Sequence, residues 1–519
     1  MRMFLRRAAL PVALLFAVLP AVGAAQQAEK LYQQHCASCH GADRLGAMGP
    51  ALLPENLSRL RQPDALKVIG SGRAATQMPG FGGQLGAGEI QALAAYIYAP
   101  LPQLPQWGAV EIRGSRIEHH RPGSLPARPA FKADPLNLFV VVEAGDHHVT
   151  ILDGDRFEAI HRFPSRFALH GGPKFTPDGR YVYFASRDGW VSKFDLYNLK
   201  TVAEIRAGIN TRNLAVSSDG KFVMVANYLP HTLVLLDADL NLMKVLEARD
   251  REGKTTSRVS AVYDAGPRKS FVAALKDIPE VWEISYDERA EPIAAGLVHD
   301  FRYKEGAFIP GRFNPRRSVL AEYLDDFFFT PGYNELMATS RDGGQGQVVN
   351  LDVRRKVATV AVPGMPHLAS GITWDYGGRT VLATPNLKQG VVSVIDIKTW
   401  KLVKEIPTNG PGFFMRSHEH TRYAWVDAMM SPHQDTLQII DKDKLEVVAS
   451  VTPAPGKTAA HVEFTRDGRY ALVSVWEMDG ALVVYDAQTF KEVKRVPMKR
   501  PVGKYNVYNK ITRSEGTSH

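Results

Sequence analysis

The sequence has almost no cysteine. Of 519 residues only Cys36 and Cys39 carry a thiol, so no disulfide framework braces the chain, and the two thiols have to be explained together. Beyond its first 25 residues the chain also lacks any apolar run of about 18 residues, which excludes a later membrane-spanning helix. A strong excess of one charge is missing as well. The formal net charge of +9 falls to +6 once Arg2, Arg6 and Arg7 are removed with the leader. So mild a balance makes no case for nucleic acid, but it leaves room for a pocket that takes an anionic ligand. With 45% hydrophobic and 23% charged residues, disorder is excluded too.

Residues 1–25 combine three arginines, an apolar core and small residues ending near Ala25. They read as a secretory signal peptide, which predicts a soluble protein of the periplasm. Just beyond lies "CASCH" at 36–40, the C-x-x-C-H pattern of covalent haem c attachment. In that pattern both thiols add to the porphyrin and the adjacent His40 meets the iron. A redox dithiol or a zinc half-site is disfavoured by the adjacent histidine and by the absence of a second cysteine pair. "LYQQHCASCHGAD", "MGPAL" and "TQMPGFGGQLGAGEIQALAAYIYAPL" together resemble a class I cytochrome c over residues 26–100. The resemblance implies Met78 as the sixth iron ligand, with Met48 as the competitor and His35 as a bystander. Seven prolines between Pro100 and Pro135 then suit an extended linker over 101–135.

From residue 136 to 519 one grammar repeats: an alternating strand, a turn residue, and a second strand. The turn residues are Asp153, Asp195, Asp237, Tyr286, Asp352, Asp396, Asp441 and Asp486, separated by 42, 42, 49, 66, 44, 45 and 45 residues. Several copies carry an upstream Asp-Gly hairpin, as in "TPDGRY", "SSDGKF" and "TRDGRY", where glycine supplies a positive φ. Four strands in about 45 residues make a propeller blade. The expected fold is therefore a small all-α cytochrome c domain followed by an all-β, eight-bladed β-propeller. The closing "KYNVYN" is expected to pair with the first blade.

In a propeller the inner strands converge on one axis, where ligands sit. His170, Arg212, His367 and His461 each stand near the entrance to an inner strand. His119, His120, His147, His148, His231 and His433 have no such placement and read as solvated or structural. "HEH" at 418–420 offers too few ligands at too close a spacing for a metal site.

A haem c domain joined to such a propeller resembles the cytochrome cd1 family, whose propeller holds haem d1. "ALHGGPKFTPDGRYVYFASRDGW" is similar to the segment bearing the proximal iron ligand, which assigns that role to His170. "VPGMPHLASGITW" is similar to the distal segment and falls on His367. "FFMRSHEHTRYAWVD" is similar to the segment with the second distal histidine and falls on His418. The resemblance implies three possible activities. One is reduction of nitrite to nitric oxide. Another is oxidation of a propionate side chain of dihydro-haem d1 to the acrylate of haem d1, and the third is non-catalytic carriage of the tetrapyrrole.

The wording favours the oxidation. His367 is followed by Leu-Ala-Ser rather than Pro-Gly-Arg, and "AAHVEFTRDG" places His461 where the reductases show no histidine. Dehydrogenation removes two protons and two electrons, and a neutral imidazole suits the base. The expected site therefore has His461 as base, His367 as ligand or orienting group, and Tyr505 as hydrogen-bonding partner. Arg187, Arg212 and Arg416 are expected to hold carboxylates, with Lys174 and Arg166 as weaker candidates. The implied partners are the tetrapyrrole, a periplasmic electron acceptor, and nitrite reductase or other haem d1 assembly proteins.

Overall fold

The structure, a computed structural model, describes residues 19–47, 49–57, 60–72, 78–103, 105–169, 171–300, 305–340 and 345–512. Most of the leader, Met48 and His170 lie outside the described residues. In the N-terminal part, helices Leu19–His35, Ala37–His40, Gln62–Ser71 and Ala87–Tyr98 bury Leu31, Tyr32, Ile69, Phe81, Leu93 and Ile97 against one another. The helix Ala87–Tyr98 is closed at both ends. Glu89 returns to accept the Gly86 N–H at 2.9 Å, and the Arg44 guanidinium donates to the carbonyls of Tyr96 and Ala99. Both satisfy backbone groups that a helix end leaves without an intrahelical partner.

The proline-rich segment is less extended than its composition suggests. It forms a short helix, Ala109–Gly114, and a strand, Ile117–Glu118, which adds a fifth strand to the outer edge of a propeller blade by pairing with Ala203 and Glu204. Arg206 fastens this junction. Its Nη2 donates to the Leu45 carbonyl at 2.7 Å and its Nε to the Asp188 carbonyl at 2.9 Å. Trp107 lies under the guanidinium at 4.6 Å. Beside it, Ala51 and Leu53 pack against Ile209 and Leu229 of the propeller.

Eight antiparallel propeller sheets follow, seven of four strands and blade 2 of five with the added strand. The innermost strand of blade 1 is the last of the chain, Pro501–Asn506, paired with Leu138–Glu143. Blades 2 to 8 begin with the inner strands Lys174–Phe175, Asn210–Val216, Val259–Ala265, Leu324–Phe329, Ile372–Tyr376, Met415–Ser417 and Ala459–Phe464. The ring thus closes by pairing both ends of the repeat in one sheet, as the sequence led us to expect. Inner and middle strands are apolar on both faces because each blade is covered by its two neighbours, and Phe139, Phe271, Phe327 and Phe464 are fully buried between blades.

The repeated aspartate has a definite task. Asp195 Oδ1 accepts the N–H groups of Tyr197 and Asn198 at 2.8 and 3.2 Å. Asp396, Asp441 and Asp486 do the same for the residues two and three ahead. The residue four places on then takes a positive φ: Leu199, Trp400, Leu445 and Phe490. This is a hairpin turn ending in a left-handed residue, with the side-chain oxygen replacing lost ladder bonds.

Three copies depart from the pattern. In blade 3 Asp237 Oδ1 accepts the N–H groups of Asp239 and Asn241, and the left-handed residue is Leu240, three places on. In blade 5 the accepting side chain is Asn350, which takes Asp352 N–H at 3.0 Å, so the turn stands two residues before Asp352. In blade 4 Ser285 Oγ accepts Asp287 N–H at 3.1 Å in place of an aspartate. The long 66-residue spacing also has a structural cause. A separate hairpin, Ile293–Asp300 with Glu305–Ile309, is inserted before the outer strand Pro315–Val319 of blade 4.

A chain ended at residue 500 keeps every blade but exposes the inner edge of Leu138–Glu143. Its thermal unfolding, followed by circular dichroism, is expected to lose the single cooperative transition of the full chain, because closure couples the first and last blades.

Candidate active site

Each inner strand starts at one end of the channel and reaches the hairpin to the next strand at the other. The starting ends gather a cleft lined by Leu169, Gly171, Arg187, Arg212, His367 and Tyr505, with Phe413, Phe414, Trp476 and Gly503 among its other walls. Four of the residues singled out from the sequence (Arg187, Arg212, His367 and Tyr505) therefore meet here from four different blades. His170 lies outside the described residues, although its neighbours Leu169 and Gly171 both line the cleft. Where glycine lines the wall the backbone itself is the surface. Gly171 has φ +80°, and a Cβ there would sit 2.5 Å from Asn213 Cβ, so only glycine keeps this part of the wall flat.

His367 is held in one tautomer. Its Nδ1 lies 2.7 Å from the Phe413 carbonyl, so Nδ1 must carry the hydrogen and Nε2 keeps a lone pair. Burial pushes its pKa down to about 4, so the ring is neutral and able to ligate at neutral pH. The Phe413 ring stands 3.9 Å from the imidazole. The segment bearing both phenylalanines is pinned by buried Asp427, whose carboxylate accepts the N–H groups of Phe413 at 2.8 Å and Phe414 at 2.9 Å.

His461 is not on the cleft wall. Only 3% exposed, it stands one ring behind, 4.9 Å from Phe414 and 5.2 Å from Tyr505 between ring centroids. Its backbone is unusual. His461 has φ +55° and falls at a break in register between Ala460 and Val462, a bulge that turns one side chain out of the ladder.

Four expected residues lie elsewhere. His418 follows the end of its inner strand and opens into a cavity at the opposite mouth of the channel, lined also by Arg416, Lys442, Glu463 and Asn509. Its ring lies against the Gly468 hairpin there. The reason is length: strand Met415–Ser417 carries the chain across the sheet, so Phe413 and Phe414 face the cleft and His418 does not. Arg416 points the same way and pairs with buried Glu463 at 3.5 Å. Arg166 is spent on Glu204 at 2.8 Å and on the Trp190 ring. Lys174 is half-buried in a separate cavity lined also by Tyr263, Asp264 and Lys510; it donates to the Gly171 carbonyl at 2.9 Å, and burial pulls its pKa down to about 7.

The ligating atoms of His418, Glu419 and His420 lie within 4.8 Å of one another. However, His418 Nδ1 already accepts the His420 N–H and His420 Nδ1 meets the Asp467 carbonyl, which leaves the cluster's geometry to local hydrogen bonding.

The sequence pointed to neither Phe413 and Phe414 nor Lys504. The first two follow "NGPG", a loop signal, and Lys504 is a lysine in an otherwise inner-strand pattern. That mismatch is the one signal that could have drawn attention to Lys504.

In the helical part Cys36 and Cys39 form no disulfide with each other and flank one helical turn, which the His40 N–H closes onto the Cys36 carbonyl at 2.9 Å. His40 Nδ1 lies 2.8 Å from the Pro50 carbonyl, so Nδ1 is the donor and Nε2 keeps the lone pair a metal needs. Gly49 lets this ring lie close, since a Cβ there would come within 2.7 Å of His40 Cε1. Met78 packs half-buried against the same core. The donor set and tautomer fit a covalently attached haem.

The fold and site have known counterparts. Residues 133–510 match the family described as the cytochrome D1 heme domain, and residues 23–97 match that described as cytochrome C oxidase, cbb3-type, subunit III. The chain is 57% identical over 516 residues to the dihydro-heme d1 dehydrogenase of Pseudomonas aeruginosa, covering 99% of this chain and 100% of that one. It is 24% identical over 543 aligned positions to a nitrite reductase of Stutzerimonas stutzeri, covering 93% and 92%. A solved structure described as dihydro-heme d1 dehydrogenase NirN in complex with DHE superposes with a TM-score of 0.85 at 58% identity, covering 93% of this chain and 100% of that one.

The pKa of His367 sets a sign for stability. Folded His367 titrates near 4 against 6.5 for a free imidazole. The unfolded chain therefore binds the extra proton between these values, and the stability His367 contributes is lost as pH falls through that window. The loss is on the order of 3 kcal/mol. Denaturant titrations of wild type and His367→Gln are expected to converge as pH drops from 6.5 toward 4, and to differ by a constant amount above 6.5.

Proposed function

The chain belongs to the cytochrome D1 heme domain family, and from that premise we infer that it is an oxidoreductase that converts dihydro-haem d1 to haem d1. The observation that carries the reading is the cleft itself. Two arginines, a neutral imidazole and a phenol from four blades face one glycine-walled space, with a second histidine directly behind it. Nitrite reduction is the less favoured reading, because the nitrite reductase relative stands at 24% identity against 57% for the dehydrogenase. A carrier role leaves the haem c domain without a task.

We propose the following division of labour. Arg187 and Arg212 hold carboxylates of the tetrapyrrole by charge-assisted hydrogen bonds. His367, and by resemblance His170, would be the imidazoles that ligate the iron of the substrate. Tyr505 hydrogen-bonds the side chain being oxidised. His461 takes a proton from a carbon of the propionate, which requires Phe414 to swing from between His461 and the cleft. Going from a CH2–CH2 unit to CH=CH releases two protons and two electrons. Cys36, Cys39, His40 and Met78 would hold haem c, which would supply a one-electron carrier.

The leader at residues 1–25 supports export to the periplasm. Among the described residues no helix is long and apolar enough to cross a membrane. An external periplasmic acceptor would then take the electrons, and nitrite reductase is the fitting recipient of the product.

Supplying dihydro-haem d1 with an electron acceptor is expected to give the haem d1 spectrum, with no nitric oxide formed from nitrite. Rapid nitrite reduction without that conversion would overturn the reading. His461→Ala should bind the tetrapyrrole yet lose roughly 10²–10⁴-fold in turnover, the usual worth of a general base. A wild-type rate would remove His461 from the chemistry. Cys36→Ala with Cys39→Ala should release haem from the chain on acid–acetone extraction while leaving the propeller's tetrapyrrole binding in place.

A further inference from the structure

Several blades use a polar side chain at or near the end of the second strand to hold the loop that leads into the inner strand. Glu143 accepts the Lys499 N–H in blade 1, Asn227 donates to the Ala207 carbonyl in blade 3, and Asn386 of blade 6 accepts the Met365 N–H at 3.3 Å. Asp427 does the same in blade 7, with more bonds. Its Oδ1 takes the Phe413 N–H at 2.8 Å and the Met429 N–H at 3.3 Å, and its Oδ2 takes the Phe414 N–H at 2.9 Å. The His461 N–H adds a further donor. The N–H of Asp427 itself returns to the Phe414 carbonyl at 3.2 Å. This carboxylate is buried, so backbone N–H groups rather than water decide how it lies.

Blade 7 differs in what the held peptide faces. The bond between Phe413 and Phe414 is trans, and a trans peptide is planar, with its C=O and N–H pointing opposite ways. The N–H of this unit belongs to Phe414 and is fixed by Oδ2. Its C=O belongs to Phe413 and is therefore aimed away from Asp427, where it takes the Nδ1 hydrogen of His367 at 2.7 Å. The Phe413 N–H on Oδ1 pins the preceding peptide plane as well, so the unit cannot turn without losing an acceptor. Two successive N–H groups, each on its own oxygen of one side chain, require a carboxylate. An asparagine offers one oxygen and sets its own NH2 against the other N–H. Negative charge at the N–H end also polarises the unit and strengthens the bond its carbonyl accepts.

We propose that Asp427 is the positioning residue for His367: through the Phe413–Phe414 peptide it fixes the tautomer and orientation of the imidazole, and so presents Nε2 to the iron of the bound tetrapyrrole. The arrangement is the carboxylate–histidine support common at metal sites, with one peptide unit inserted between the two side chains. It makes the second strand of blade 7 set the geometry of a side chain that enters from blade 6. Asp427 acts only through that peptide, so the proposal rests on His367 being an iron ligand.

Asp427→Asn keeps the size of the side chain and removes the second acceptor. Ferric dihydro-haem d1 bound to the haem c holoprotein is expected to give its own low-spin iron signal in EPR, beside that of haem c. In Asp427→Asn the tetrapyrrole should still bind on Arg187 and Arg212. Most of its low-spin signal should give way to high spin, and free imidazole should restore it. Turnover is expected to fall roughly 10–100-fold, the usual cost of losing such an outer partner. His367→Ala should show the same spectral change, and adding Asp427→Asn to it should change the spectrum no further. Asp441→Ala, which takes the acceptor of two N–H groups from an outer turn of the same blade, should lower the melting temperature and leave the spectrum alone. A wild-type spectrum in Asp427→Asn, with the low-spin signal lost in His367→Ala, overturns the positioning role and leaves His367 as ligand. A low-spin signal that survives in His367→Ala removes the ligand, and the proposal with it. The same spectral loss in Asp441→Ala makes Asp427 a support of the blade and also overturns the proposal. Should Asp427→Asn not fold, imidazole and amide nitrogen NMR of the wild-type haem c holoprotein decides. A proton on His367 Nδ1 and a Phe414 amide shielded from exchange are expected, and an Nε2–H tautomer or a freely exchanging Phe414 amide overturns the proposal.

Discussion

The pairing of Pro501–Asn506 with Leu138–Glu143 is the interaction on which the rest depends. It brings the two ends of the repeat into one sheet, and a ring so closed leaves no inner edge exposed. It also delivers chemistry. Gly503 and Tyr505 line the cleft from this strand, and Lys504, alternating to the other face, reaches back to His461 in the neighbouring blade. Closure of the fold and completion of the site are therefore a single event.

Burial governs how the channel's polar groups behave. His367, Lys174, Lys504 and Lys510 all lose proton affinity because the axis is shut from water, and Asp427 gains it, its pKa rising to about 6. A planar polyanion entering such a place meets cationic donors fixed by the blades and imidazoles that are already neutral. Little reorganisation is left for the moment of binding, which is what preorganised sites contribute. The exception is Phe414, which stands between His461 and the cleft, so access to the base depends on one aromatic ring.

The helical part is joined to the propeller at a chosen spot. Arg206 reaches the Leu45 carbonyl, five residues past His40, and the Asp188 carbonyl, next to Arg187 of the cleft. One half-buried guanidinium thus spans from the loop after the C-x-x-C-H segment to the rim of the cleft. Such a strut fixes the separation of the two parts better than a flexible linker, because the linker itself is tied down as an extra strand on blade 2.

Much of this was legible in the sequence, because local rules wrote it. The C-x-x-C-H pentapeptide names its own chemistry. The period of about 45 residues with a recurring aspartate reflects a turn whose side chain replaces backbone hydrogen bonds, and that requirement holds whatever the blade packs against. The alignment slipped in blades 4 and 5, where Ser285 and Asn350 perform the same bonding without the aspartate. His367, Arg187, Arg212 and Tyr505 could be named from segment resemblance, since each sits at an entrance to the channel. His418 could not be placed, because whether a residue three or four positions along an inner strand faces the cleft or the far mouth depends on where the strand starts in space. The bulge at His461, the tether from Asp427 and the lysine behind it were not legible either, because they join residues from three strands far apart in the chain. The sequence by itself determined the covalent haem site, the number of blades and the residues able to do the chemistry. Only the tertiary structure decided which of them meet, because convergence on one axis brings residues far apart in sequence together and shields the protons they share from water.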